Sequence, residues 1–248
     1  MADVQVFPIS READIRTAAD IAIACFGHQT ADNFYRIMNP GWDTADGVIA
    51  HADRAVARFH GTTTNEAGEP NTLFLAATVQ SPDNPSERII VGHAIWVQLS
   101  AVDGHGDKPV ENLGEAVDLE LLFPGDEKTQ RLCVQAERGL HACRKQTVKD
   151  KAGDAQPACF VLDMCVVHPD FQRKGIAQKL VQWGLDEAER RGGLEALTEA
   201  SVMGYGAYKK LGFQKVCEVD FMMDEEFSDY PMPPNVFMRT ASKHGVAQ

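Results

Sequence analysis

Three local features of this sequence have residue types suited to chemistry. The first is the hexapeptide QRKGIA, residues 172–177, which lies between an apolar run, ACFVLDMCVV (158–167), and a stretch of helical pattern, QKLVQWGLDEAERRG. If a helix starts near Gly175, its first amides lack carbonyl partners and carry the positive end of the helix dipole, so an anion is favoured there. Gly175 removes a side chain where a diphosphate would approach the backbone, and Gln172, Arg173 and Lys174 add donors and positive charge at the rim. An ordinary basic turn from strand to helix carries the same residues, so the hexapeptide alone leaves both readings open. The second feature is Asp163, the charged residue inside the apolar run. Buried and unpaired, its carboxyl would have a raised pKa and serve as a base; satisfied by a cation or by backbone, it would be structural. The third is a pair of tyrosines, Tyr205 and Tyr208, in VMGYGAYKKLGF. A buried tyrosine either packs with its hydroxyl satisfied or offers that hydroxyl as a donor. His168, just past the run in HPDF, reads as part of the turn.

The elements that must position these residues follow from periodicity. The run 158–167 has the pattern of a strand buried on both faces, and Pro169 ends it. Behind the hexapeptide, Ile176, Leu180, Val181, Gly184 and Ala188 form one apolar and small helical face that fits a sheet. Gly192 and Gly193 end that helix, LEALTEAS reads as another strand, and a short helix follows, closed at Gly212. In the N-terminal half, VQVFPI is a short strand, and Ile15, Ala19, Ala22 and Phe26 share the face of a helix that stops at Gly27. A second helix spans Val48 to Phe59, and LFLAATVQ with RIIVGHAIWVQL reads as a hairpin. Residues 100–158 are the least regular part, an acidic loop followed by one helical stripe, Leu132, Ala136, Leu140 and Cys143. A loop of that length in a compact domain either covers a site or is a solvated excursion.

Composition sets outer limits. With 248 residues and 44% hydrophobic content the chain can bury a large core. A formal net charge of −12 argues against wrapping nucleic acid or lying on anionic lipid, and suits a cationic partner. The acidic stretches 111–127 and 218–229 would suit a cationic amine, or are solvated faces. Six cysteines lack the close paired spacings of a zinc ribbon or a redox dithiol, so no metal is expected. Cys159 and Cys165 on one strand would stand ~20 Å apart, too far for a disulfide. Free thiols, no leader pattern at the N-terminus and no run of membrane-spanning length lead to the expectation of a cytoplasmic chain.

The order VVHPDFQRKGIA, amphipathic helix, strand, then YKKLGF resembles the GNAT superfamily of acyl-CoA-dependent N-acyltransferases. That family's signature, Gln or Arg, two residues, Gly, one residue, Gly or Ala, is met by Gln172, Gly175 and Ala177; its Tyr, three residues, Gly-Phe pattern is met by Tyr208, Gly212 and Phe213. The close match covers about 158–216, and the N-terminal elements fit the family order more loosely. The resemblance implies one α/β domain over 1–248, with 100–158 inserted and 158–216 as the acyl-CoA core. Its mixed, mostly antiparallel sheet would carry helices on both faces and splay between the strands that hold the thioester. It further implies that the amides of Gln172, Arg173, Lys174, Gly175, Ile176 and Ala177 hold the coenzyme A diphosphate, and that Cys165, Val166 and Val167 pair with the pantetheine arm. Ser201 stands where many relatives have a cofactor-touching asparagine, which puts its role in doubt.

Acyl transfer to an alkylamine of pKa near 10.4 requires removing a proton, at a cost of about 4 to 5 kcal/mol at pH 7. Asp163 is the first candidate to receive it, with a water chain as the alternative. A strand amide would stabilise the oxyanion, and the family motif gives Tyr208 the protonation of the leaving thiolate, with Tyr205 as its competitor. The expectation is therefore an acetyl-CoA-dependent N-acetyltransferase acting on a small-molecule amine by direct attack, with the insertion as a cover. A protein N-acetyltransferase and a silent acyl-CoA-binding sensor are the alternatives, and monomer and homodimer both stay open.

Overall fold

The structure is a computed structural model that describes residues 3–84 and 86–241. Alternation of apolar side chains along the central strands decides its layering. On β3 (Arg88–Ser100) and β4 (Ala158–Val167), Ala94, Trp96, Phe160 and Leu162 enter one core, whereas Ile95, Val97, Cys159 and Val161 enter another on the opposite face. Both faces of the sheet are thus buried, and both need helices to cover them.

The chain runs β1 (Gln5–Pro8), α1 (Glu12–Ala22), a π-helical turn (Ile23–Gln29), α2 (Asn33–Met38) and α3 (Ala45–His60), and then the hairpin of β2 (Thr72–Gln80) with β3. Two short helices, α4 (Leu113–Ala116) and α5 (Leu119–Leu122), precede α6 (Glu127–Asp150) and β4. After β4 come α7 (Ile176–Arg190), β5 (Glu195–Ser201), α8 (Val202–Lys210), β6 (Gln214–Glu218) and β7 (Asn235–Arg239). These strands make one sheet in the order β1-β2-β3-β4-β5-β7-β6, antiparallel throughout except at β4 and β5. The mixed, mostly antiparallel α/β fold is the one expected. Among the described residues no helix is long and apolar enough to cross a membrane.

The elements depart from the sequence reading in three places. The first helix does not stop at Gly27 but continues to Gln29, because the glycine lets Trp42 pack there: a Cβ on Gly27 would lie 2.5 Å from its ring. Between that helix and α3 lies α2, which the sequence did not reveal: six residues capped by the Asp32 side chain, too short to show a period. The region 100–158 holds three helices rather than one, with α6 alone spanning 24 residues.

The sheet forks at its centre. β4 pairs with β5 only over Cys159–Leu162 and Glu195–Thr198. Beyond this, β4 continues on β3 alone and β5 on β7 alone. The register of β4 on β3 jumps from Leu162 to Met164, which leaves Asp163 as the extra residue of a bulge at the base of the fork. A bulge bends and twists its strand, so the divergence starts where the sequence inserts that residue. The Thr198 hydroxyl closes the last rung by donating to the Leu162 carbonyl at 3.0 Å.

Candidate active site

Two cavities meet in the fork. The larger, about 790 Å³, runs along Cys165–Val167, the turn before α7 and the first turn of α8. The smaller, about 360 Å³, lies on the other side, among α1, α2, α3, α6 and the bulge. Phe26, Asp32, Cys165, Ser201 and Tyr208 line both, and so mark the junction.

The turn has the form the hexapeptide suggested. Gly175 is the N-cap of α7 with φ +80°, in the left-handed region that favours glycine, and Arg173 is also left-handed at φ +63°. No side chain caps the helix, and the nearest atom a Cβ on Gly175 would meet is 3.8 Å away. Free amides therefore open onto empty space at the positive end of a 15-residue helix. Gln172 braces the turn: its amide donates to the Val167 carbonyl at 2.9 Å and exchanges hydrogen bonds with Gln29 at 2.8 and 2.9 Å. Gln172, Arg173, Gly175, Ile176 and Ala177 all line the larger cavity. The Lys174 side chain does not, since it donates to the Asp170 carbonyl and sits over the Phe171 ring. His168 belongs to the turn, accepting from the Asp170 amide at 3.3 Å.

Cys165–Val167 have no strand partner on the β5 side and line this cavity, as a peptide-like arm would require, with the Val167 carbonyl already taken by Gln172 and by the Cys25 thiol. The residues thus fit an acyl-CoA: an uncapped helix terminus with an open cradle at one end, and a free strand edge leading to the junction at the other. Ser201 caps α8 by accepting from the Gly204 amide at 3.3 Å, which accounts for a serine there on structural grounds alone.

At the junction Tyr208 is 7% exposed, and burial, followed by the neighbouring Cys165 thiol, raises its pKa well above the ordinary value. Its hydroxyl is thus a permanent donor at neutral pH. Tyr205 lines neither cavity.

Asp163 corrects an expectation. It is not an unpaired carboxylate: it meets Arg144 at 2.7 Å and Arg58 at 2.9 Å, and Arg144 also binds Glu199. Burial alone would raise its pKa, but the Arg58 and Arg144 charges outweigh burial and hold it well below the usual carboxylate range. Such a group binds a proton too weakly to take one from an amine, and its role in the site is to fix two guanidiniums.

Sequence reasoning missed Asp32. It lines both cavities, and burial raises its pKa despite the opposing Tyr35 and Phe34 amides and Arg36. Helix capping through the Tyr35 amide at 2.9 Å holds it at the junction. Its one sequence signal was an N-cap residue before a helix too short to recognise. Also unforeseen is a relay on the smaller cavity, in which the Tyr35 hydroxyl meets His51 Nε2 at 3.1 Å and His51 Nδ1 meets Asn39 Oδ1 at 2.7 Å. Burial, followed by Arg54, lowers the His51 pKa to about 4, so this imidazole is neutral at pH 7. The acidic stretches 111–127 and 218–229 line neither cavity; from the inserted region only α6 reaches the site, through Leu140, His141 and Arg144. Several of those acidic residues are spent elsewhere, on Lys149, Arg131 and Lys215 and as the helix caps Asp118 and Asp126.

Residues 130–215 match the model of the acetyltransferase (GNAT) domain, from within α6 to β6. No curated protein matches the sequence. Among solved structures the chain is similar to a mosquito arylalkylamine N-acetyltransferase-like protein 5b at 12% identity, covering 96% of this chain and 99% of that one with a TM-score of 0.58. The arylalkylamine N-acetyltransferase 2 of Aedes aegypti shares 15% identity over 97% and 100% of the two chains, TM-score 0.57. A polyamine N-acetyltransferase of Drosophila melanogaster shares 13% over 96% and 97%, TM-score 0.55. Residues 130–215, which carry the turn, the fork and Tyr208, thus match a GNAT acetyltransferase domain, and the chain as a whole has the fold of these structures.

Proposed function

We propose that the protein transfers an acetyl group from acetyl-CoA to the primary amine of a small molecule, by direct attack where the two cavities meet. The observation that carries this reading is the pair of cavities joined at Asp32 and Tyr208. One has the volume and the amide-lined end for an acyl-CoA, while the other is a small, partly charged chamber whose volume suits a metabolite rather than a protein segment. In this reading the α7 amides and Arg173 hold the diphosphate, and Cys165–Val167 align the pantetheine arm so that the thioester reaches the junction. Asp32 takes the ammonium proton, directly or through one water. The amine nitrogen then bonds to the carbonyl carbon, a β4 amide stabilises the oxyanion, and the carbon–sulfur bond breaks with its electrons on sulfur; the Tyr208 hydroxyl protonates the thiolate, and the second proton lost by the nitrogen returns to the tyrosine through water.

The names of similar structures, with arylalkylamine, polyamine and agmatine among them, agree with a small amine but rest on a shared fold. The experiment is a thiol-release assay with acetyl-CoA and a panel of small amines beside lysine-containing peptides. Release with at least one small amine is expected. Release with peptides alone would turn the reading toward protein acetylation, and release with neither, despite tight acetyl-CoA binding, would leave a sensor.

A further inference from the structure

The smaller cavity holds an uneven distribution of charge. Arg58, Arg144, Asp163 and Glu199 form a closed group, two cations against two anions joined by three ion pairs, and present no net charge. His51 and the fully buried His93 are neutral, burial lowering each pKa to about 4. His141 hands its Nδ1 to Glu137 at 2.9 Å, away from the cavity lining.

What remains is one cation and one anion. Arg54, on α3, has no carboxylate within ion-pair distance among the described residues. Its one hydrogen bond there is a long one, 3.4 Å, to the neutral Asn39 amide oxygen. Burial, opposed by Tyr35, lowers its pKa, the sign of a guanidinium deprived of water and not compensated by an anion. The remaining anion, Asp32, sits at the junction, whereas Arg54 lines the smaller cavity alone. Tyr35 separates the two, with its backbone amide on Asp32 and its phenol near Arg54. Asn235 adds to the pattern. It lies opposite Ser201 on β7 and lines the cavity, and its buried Oδ1 has no hydrogen-bond partner among the described residues. Acceptors thus gather near the thioester end and an unpaired planar donor stands at the far end.

We infer that the acceptor is an amine bearing an anionic group, a carboxylate, several bonds from the nitrogen, with the ammonium at Asp32 and Asn235 and the carboxylate on the Arg54 guanidinium. This rests on the reading that the smaller cavity receives the amine, and names its substrate class. A guanidinium binds a carboxylate through two parallel N–H donors, and in a poorly hydrated cavity it repels a second ammonium. The site therefore runs against the net charge of −12, which at long range attracts cations of every kind. Apolar walls from Phe26, Phe34 and Phe74 suit the methylene or aryl spacer between the two charged ends.

Three probes of one chain length separate the possibilities: 5-aminopentanoate, pentylamine and 1,5-diaminopentane. Each is titrated by calorimetry into protein saturated with coenzyme A, so that binding is read without turnover, and each is also assayed for thiol release from acetyl-CoA. The expected result is that 5-aminopentanoate binds at least about tenfold more tightly than 1,5-diaminopentane. Arg54→Met should collapse that ratio, and Arg54→Lys, which keeps the charge, should restore part of it. Equal or tighter binding of the diamine, a ratio that survives Arg54→Met in folded protein, or no binding of any probe would overturn the inference. Preferential binding of 5-aminopentanoate without thiol release from any amine would sink the transfer reading and leave the anionic-acceptor inference standing.

Discussion

Tyr208 and Asp32 owe their properties to the same cause, burial at a junction, and the sign of each shift suits a different half of the proton traffic. Burial keeps the phenol protonated and makes the carboxyl a stronger base than an exposed one. Tyr208→Phe keeps the ring and deletes the donor. Turnover should fall by roughly 10²-fold with acetyl-CoA affinity nearly unchanged, whereas Tyr205→Phe, outside both cavities, should be nearly silent. Steady-state kinetics beside calorimetry would separate these results. For Asp32 the sign is fixed by its role: a base works only when ionised, so kcat/KM should drop as pH falls through a pKa raised above that of an ordinary aspartate. Asp32→Asn should abolish that limb of the pH profile and slow the reaction at every pH, by about 10²-fold at its plateau. Neither the ion pairs of Asp163 nor the position of Asp32 at the junction was legible in the sequence. Arg58 lies 105 positions from Asp163, and no local pattern announces a partner at that distance. The placement of Tyr208 and the left-handed backbone at Gly175 were legible because their spacing and backbone demands are local.

At the scale of elements, the site depends on how closely α7 lies on the sheet. Gly184 faces Trp96, and a Cβ there would stand 2.0 Å from the indole, which is fully buried and stacked on Phe160. The helix approaches because the side chain is missing, and the same approach sets the height of the amides at its N-terminus over the fork. Gly184→Ala should therefore cost about 3 kcal/mol in urea denaturation and also weaken acetyl-CoA binding. A stabilised or unaffected variant would show that α7 sits farther from the sheet. The buried face of this helix, Ile176, Leu180, Val181, Gly184 and Ala188, is the one its period predicts, since a 3.6-residue repeat is visible over 15 residues. In α2 six residues give the period no room, and the π-helical turn past Gly27 depends on Trp42 filling space that only tertiary packing reveals. The fork itself was foreseen from resemblance; its physical origin, the bulge at Asp163, was not, because a bulge depends on the register of a partner strand.

For the whole molecule, pH links the site to stability. His93 is buried between the layers, its Nδ1 on the Leu75 carbonyl at 2.8 Å, and burial lowers its pKa from 6.5 to about 4. Above pH 6.5 the ring is neutral whether the chain is folded or not. Below it the unfolded chain binds a proton that folded His93 refuses, so stability is complete above about pH 6.5 and is lost as pH falls toward 4. At 1.36 kcal/mol per unit the loss approaches about 3 kcal/mol. Urea midpoints should fall between about pH 7 and pH 4.5, and His93→Gln should flatten that decline. The same burial gathers polar groups around one fork at the centre of the molecule, from the cap of α2, from β4 and from α8. Isothermal calorimetry on Gly175→Trp decides whether the turn before α7 cradles the diphosphate of acetyl-CoA, with circular dichroism to confirm the fold and Gly175→Ala as the milder companion. The tryptophan, filling the open space over the amides, should weaken acetyl-CoA binding at least about tenfold, with alanine intermediate; a folded Gly175→Trp protein that binds acetyl-CoA as tightly as the parent would mean that the diphosphate lies elsewhere.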